Sequence, residues 1–203
     1  FGPALLWDLH HVLQSERWQA QAGARLRGWF VALGELEALA SLAAFAYERP
    51  DYAFPALLQE EGTFRARSIS HPLLDRRRAR GNDLDLGGPG TVLILSGSNM
   101  SGKSTLLRSI GVNVLLAQAG APVAAAELSL SAFELVTSIR VVDSLSRGTS
   151  HFYAELQRIR EALDRGRERG PRLLYLLDEM LHGTNSKERY VGAVSVIRWM
   201  SEQ

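Results

Sequence analysis

The sequence predicts an α/β fold in which a mostly parallel sheet is flanked by helices and preceded by an all-helical segment. From Thr91 onward, short apolar runs that suit buried strands alternate with segments of helical periodicity. The first run, Val92–Leu95, is followed by a loop of small residues and then by a helix. Residues 1 to about 49 repeat apolar side chains at helical spacing throughout. These three observations together predict the architecture.

Two helices are expected in the amino-terminal segment. The first carries an apolar stripe from Leu5 to Leu13 and the second a longer one from Leu26 to Leu42, with Gly23 as the predicted joint. Pro50 disfavours a helical conformation at the residue before it, so the second helix should end at Arg49. We therefore expect a helical domain over residues 1–49 and an α/β domain over residues 50–203.

The remaining elements follow from shorter patterns. Residues 51–85 predict a connecting strand at Thr63–Ser70 followed by an arginine-rich loop. Later strands are expected at about Leu135–Val142 and at Leu173–Leu177. Helices are expected from about Ser150 to Arg165 and from about Ser186 to the end, and the helix after the glycine loop should stop at Gly120.

The loop between the first α/β strand and its helix predicts a phosphate site. Gly97, Gly102, Lys103 and Ser104 satisfy G-x-x-x-x-G-K-[ST], whose glycines let backbone N–H groups converge on an anion at a helix start. Lys103 suits the β- and γ-phosphates, and the Ser104 hydroxyl suits Mg²⁺. The pattern predicts a P-loop NTPase core that binds ATP with Mg²⁺. The predicted nucleotide-binding residues are Gly97, Ser98, Asn99, Met100, Ser101, Gly102, Lys103, Ser104 and Thr105.

Two adjacent acids form the second predicted part of the site. Asp178 and Glu179 follow the apolar run Leu173–Leu177, so they should lie at the carboxyl end of a buried strand, where α/β folds bind ligands. We expect Asp178 to hold Mg²⁺ beside Ser104. Glu179 is expected to orient and deprotonate an attacking water. A kinase also uses such a loop, but the acidic pair favours water over a substrate hydroxyl, which predicts an ATPase.

Composition excludes several other classes of site. The 203-residue chain has no cysteine, so it has no disulfide or thiolate metal site, and a reducing cytoplasm suits it. The formal net charge of +1 neither requires nor excludes nucleic acid. The arginines at 76, 77, 78 and 80 suit a solvated loop better than a DNA contact.

We expect no membrane-spanning stretch and no membrane contact. The chain begins without Met and stops inside a predicted helix, which suggests a piece of a longer protein.

Four segments resemble the MutS family of DNA mismatch-repair ATPases. The stretch "SGSNMSGKSTLLRSIGVNVLLAQAGAPVAA" is similar to the family's phosphate loop and following helix, including its Asn-Met pair. "SRGTSHFYAEL" is similar to the family's Ser-Thr-Phe-x-x-Glu helix start, and "LLDEMLHGTNS" to its Asp-Glu-x-x-x-Gly-Thr-Ser. Upstream, "LGELEALASLAAFAYERPDY" resembles the end of the family's helical lever. The resemblance covers nearly the whole chain and implies an ABC-type ATPase core.

The resemblance implies further roles. Asn99 would contact the nucleotide phosphates, and Ser150 would reach the γ-phosphate held by the opposite subunit of a homodimer formed through the ATPase domain. DNA would be bound mostly by domains outside this chain. Where the family has an aromatic residue for adenine, this chain has Ala79, so no base-stacking residue is implied. Two alternatives stay open: a MutS-related ATPase acting on branched or recombining DNA, and an ABC-type ATPase with a protein or membrane partner.

Overall fold

The computed structural model describes residues 6–75, 77, 79–98, 101–139, 151–178, 180–181 and 185–202. The chain divides into two compact units, Phe1–Glu48 and Arg49–Gln203.

The amino-terminal unit is one helix, α1, at Trp7–Glu48. The expected break at Gly23 is therefore wrong. A glycine inside a helix costs only about 1 kcal/mol relative to alanine, and the neighbouring Gln, Ala, Arg and Leu residues favour helix. No residue of α1 is buried, so its apolar stripes are exposed on this unit.

The composition of α1 also corrects the expectation that no stretch is long and apolar enough to cross a membrane. Among the described residues, α1 alone meets that test of length and composition, with a stretch of mean hydropathy 1.5. Glu35 and Glu37 lie within its apolar second half. Core helices of soluble proteins pass the same test, so this property assigns α1 to no particular environment.

The second unit contains six described strands and three further helices. The strands are β1 (Ala56–Leu58), β2 (Thr63–Ile69), β3 (Asn82–Gly87), β4 (Glu127–Ser131), β5 (Glu134–Ser138) and β6 (Leu173–Leu177). The helices are α2 (Lys103–Gln118), α3 (His151–Arg169) and α4 (Ser186–Ser201). The predictions of β2, β6, α2 and α4 are confirmed within one or two residues. Helix α3 extends four residues beyond the predicted end at Arg165.

The described strands do not form the mostly parallel sheet that the sequence predicts. Four strands make a mixed sheet in the order β1-β4-β2-β3, in which only the β1–β4 pair is parallel. A separate two-stranded sheet pairs β5 and β6 in parallel, with Leu135 opposite Leu174. The sequence analysis missed β1 because it has only three residues. It missed β3 and β4 because polar residues interrupt their apolar ones, and β3 lies at an exposed sheet edge. The fold is α/β with a mixed sheet.

The core lies between helix α2 and the mixed sheet. Phe64 and Leu130 face each other across the β2–β4 pair and are completely buried, as are Ile69 and Val114. Strand β6 also packs against α2, where a Cβ added to Gly111 would lie 3.0 Å from a methyl of Leu176. This close approach holds α2 and β6 together. It therefore fixes the start of α2, which carries Lys103, relative to the carboxyl end of β6, which precedes Asp178.

The segment Val92–Leu95, predicted as a buried strand, forms no strand. Val92 is 44% exposed and Ile94 is 73% exposed, and no backbone hydrogen bond joins either of them to another described residue. A strand is stabilised by a neighbouring strand that pairs with it, and within the described chain this run has no such neighbour. Its side chains instead line a cavity that β6 also lines.

Candidate functional site

A left-handed glycine lets helix α2 start at Lys103. Gly102 has φ 90°, a conformation that residues with a Cβ rarely adopt. The first helical hydrogen bond runs from the Leu106 N–H to the Gly102 carbonyl at 2.9 Å. The free N–H groups of the first turn therefore point back toward the loop, which makes this helix start suited to an anion.

The Lys103 side chain folds back over that loop. Its Nζ donates to the carbonyl oxygens of Gly97 and Ser98, both at 2.8 Å, and to Ser101 Oγ at 3.4 Å. The Ser101 N–H donates to the Ser98 carbonyl at 3.2 Å, which closes a turn within the loop. The ammonium is thus held at the loop by three acceptors among the loop residues that the structure describes.

Asn113 anchors α2 to the mixed sheet, and the sequence analysis missed it. Its side chain is completely buried; Nδ2 donates to the carbonyls of Ser70 (2.9 Å) and Ser109 (2.7 Å), and Oδ1 accepts from the Ala124 N–H at 2.7 Å. The signal was present in the sequence, because an amide stands beside Ile110 and Val114 on the apolar face of the helix. Such a buried amide fixes how far α2 can slide along the sheet.

Asp178 follows β6, as predicted. Its backbone N–H donates to the Ser138 carbonyl at 3.0 Å, which continues the β5–β6 pairing by one residue. Asp178 and Lys103 line the same cavity, which measures about 450 Å³ and is otherwise mostly apolar. The structure therefore brings the cation of the loop and the first acid of the pair to one space.

The predicted site residues fall into two groups. The described ones are Gly97, Ser98, Ser101, Gly102, Lys103, Ser104, Thr105 and Asp178. Ser104 is half-buried and Thr105 is exposed in the first turn of α2. Asn99, Met100, Ser150 and Glu179 lie outside the described residues, so their predicted roles stay predictions.

The donor set suits a metal that arrives with a phosphate ligand. Within the described ranges, no group of three or more His, Cys, Asp or Glu residues could hold a metal ion. Mg²⁺ bound with a nucleotide needs no such group, because one or two protein oxygens, phosphate oxygens and waters complete its shell. The Ser104 hydroxyl and the Asp178 carboxylate are oxygen donors of that type.

Ala79, which stands where the family has an aromatic residue, and two residues shortly after it make hydrogen bonds within the second unit. Asp83 Oδ1 accepts from the Ser68 N–H at 2.8 Å and so supports an irregular step in the β2–β3 pairing. Asn82 Nδ2 donates to the Arg80 carbonyl at 3.2 Å. Ala79 donates its N–H to the Asp75 carbonyl and offers no aromatic face.

Comparison with known proteins identifies relatives. The family model described as MutS domain V matches residues 93–203. Proteins named DNA mismatch repair protein MutS are similar: the one from Shouchella clausii is 33% identical over 84% of this chain, and that from Chlorobium chlorochromatii is 35% identical over 90%. The one from Thermus thermophilus is 35% identical over 84% of this chain. The chain spans about a fifth of the length of each of these relatives.

Proposed function

The chain belongs to the MutS family, and on that premise we propose that residues 50–203 bind Mg-ATP at the loop Gly97–Thr105 and hydrolyse it. The observation that carries the proposal is the placement of Lys103 and Asp178 on one cavity, one at the start of α2 and the other at the carboxyl end of β6. A cation and an acid at these two ends are what a phosphate-transfer site requires.

The residues of the chain would divide the chemistry among them. The N–H groups of the loop and of the first turn of α2 bind the phosphates, and the Lys103 ammonium attracts the β- and γ-phosphates. Ser104 and Asp178 would hold Mg²⁺, which neutralises charge on the phosphate oxygens when bound. Glu179 would take a proton from the attacking water, and Ser150 of a second subunit would donate to the γ-phosphate.

The wider role would depend on a longer protein. We propose that ATP turnover is coupled to DNA binding by domains outside this chain, in a homodimer that acts in the cytoplasm. Helix α1 would serve as part of the lever between those domains and the ATPase domain, because its exposed apolar side chains suit packing against other helices. The relatives are named for mismatch repair, which favours this role over the two alternatives.

Nucleotide binding tests the proposal most directly. Calorimetry with Mg-ATP should show binding by the 203-residue chain and an affinity about 10- to 100-fold weaker for Lys103→Ala, since hydrogen bonds to charged groups contribute about 1.5–3 kcal/mol. Lys187→Ala removes the other lysine of the chain, from the exposed first turn of α4, and should bind as the wild type does. Equal affinities for both variants would refute the assignment of the loop.

Hydrolysis tests the acidic pair. The 203-residue chain should turn over ATP far below about 10 per second when it is monomeric, because the proposed site also needs Ser150 of a second subunit. Glu179→Gln should abolish the remaining phosphate release and leave Mg-ATP binding intact, since the amide cannot accept the water's proton. Normal release by this variant would remove Glu179 from its proposed role.

A further inference from the structure

The loop saturates the lysine that is to bind phosphate. A lysine ammonium has three N–H donors, and Lys103 directs them at Gly97 O, Ser98 O and Ser101 Oγ. A phosphate oxygen that binds this ammonium must therefore replace one of the three or share a proton with it.

The three contacts differ in strength. The two carbonyl contacts are 2.8 Å long, whereas the Ser101 contact is 3.4 Å, near the limit for a hydrogen bond. Carbonyl oxygens are held by the backbone, so releasing them would require the loop to move. A serine hydroxyl rotates about one side-chain bond. The Ser101 contact is therefore the one that a phosphate displaces at the lowest cost.

The shape of the loop keeps the Ser101 hydroxyl in this position. A Cβ added to Gly97 would lie 2.9 Å from Ser101 Oγ, so the hydroxyl occupies the space that a side chain at residue 97 would need. The Ser101 N–H to Ser98 carbonyl bond holds the backbone of residue 101 across the loop from Gly97. The open space at Gly97 and this backbone hydrogen bond together place the Ser101 hydroxyl within reach of the Lys103 ammonium.

We propose that Ser101 is a positioning residue that sets the nucleotide affinity of the loop, because its hydroxyl competes with a phosphate oxygen for the third N–H of Lys103. This inference rests on the proposed nucleotide binding. It predicts the direction in which the affinity for nucleotide changes. Removing the hydroxyl leaves one donor of Lys103 free for phosphate, so the affinity rises. A hydroxyl that merely supported the loop would have the opposite effect.

The experiment is calorimetry of Mg-ATP binding to the 203-residue chain and its variants. Ser101→Ala should bind Mg-ATP about 2- to 5-fold more tightly, the range expected when one weak competing hydrogen bond is removed. Ser101→Thr restores a hydroxyl at the same atom and should reverse the gain. Ser195→Ala is the matched control, because it removes a hydroxyl that donates to a backbone carbonyl on α4.

The outcomes separate the two proposals. Binding by the wild type with weaker or unchanged binding by Ser101→Ala would overturn the role of Ser101 and leave nucleotide binding standing. A gain that persists in Ser101→Thr would overturn it as well. No binding by the wild type would overturn the proposed function itself. Ser101→Gly provides a second hydroxyl-free variant, and thermal melts of all four variants show whether folding is preserved.

Discussion

The mixed sheet and the β5–β6 pair differ in how completely their strands are enclosed. In the mixed sheet, β2 has a paired strand on each side, and the residues it places under α2 are completely buried. Among the described residues, β6 pairs on one side with β5, and its other neighbour is the cavity lined by Val92–Leu95. The first region is closed and well packed, and the second is open at the predicted phosphate site.

This difference indicates where stability and chemistry lie in the second unit. Buried apolar contacts and the Asn113 hydrogen bonds connect α2 to the mixed sheet. Lys103 and Asp178 border the cavity instead. Substitutions of buried residues in the mixed sheet should therefore lower the free energy of unfolding, whereas those of exposed residues beside the cavity, such as Ile94, should change it little.

The largest expected effect is that of Phe64→Ala. Phe64 is completely buried between β3 and β4, so its truncation leaves a cavity and should lower the free energy of unfolding by about 3–5 kcal/mol. Ile94→Ala, beside the cavity and 73% exposed, should lower it by less than about 0.5 kcal/mol. Urea denaturation measures both. Similar losses for the two variants would mean that the regions are equally well packed.

An intermediate effect is expected for Asn113→Leu. Leucine keeps the branched shape and the number of heavy atoms but leaves the Ala124 N–H and the Ser70 carbonyl without their partner, so the free energy of unfolding should fall by about 1–3 kcal/mol. Hydrogen exchange should show faster exchange at the Ala124 amide in particular. If the Leu variant matched the wild type in both measurements, Asn113 would have no role in joining α2 to the sheet.

The smallest effect concerns Tyr175 in β6, whose hydroxyl donates to the Ala162 carbonyl of α3 at 3.3 Å. Burial raises the pKa of Tyr175 above 10.0, so the folded state retains the phenol proton to higher pH than the unfolded chain does. Its contribution to stability is complete below pH 10.0 and is lost as the pH rises through the folded-state pKa.

Tyr175→Phe should therefore lower the free energy of unfolding by about 0.5–1 kcal/mol near neutral pH. It should also show a smaller decline in stability than the wild type between about pH 8 and about pH 11. Urea denaturation at several pH values measures both effects. An identical decline in the two proteins would show that burial of Tyr175 does not contribute to the pH dependence.

Several elements could be predicted from sequence because their signals are local. The glycines and Lys103 predict the start of α2, and the apolar run before Asp178 predicts β6. Asn185 is the N-cap of α4, and its side chain accepts a hydrogen bond from the Glu188 N–H. Such a cap can be recognised from neighbouring residues alone. Each of these features depends on residues within a few positions of one another.

The amino-acid sequence by itself determined the glycine-containing loop before α2, the acid after β6 and the helical character of residues 7–48. Only the tertiary structure decided which strands pair, that Val92–Leu95 remains unpaired among the described residues, and that Asn113 and Ser101 have specific partners. The physical reason is that helix starts and glycine turns depend on neighbouring residues. Strand pairing and buried polar contacts join residues far apart in the chain, so the periodicity of either partner alone does not specify them.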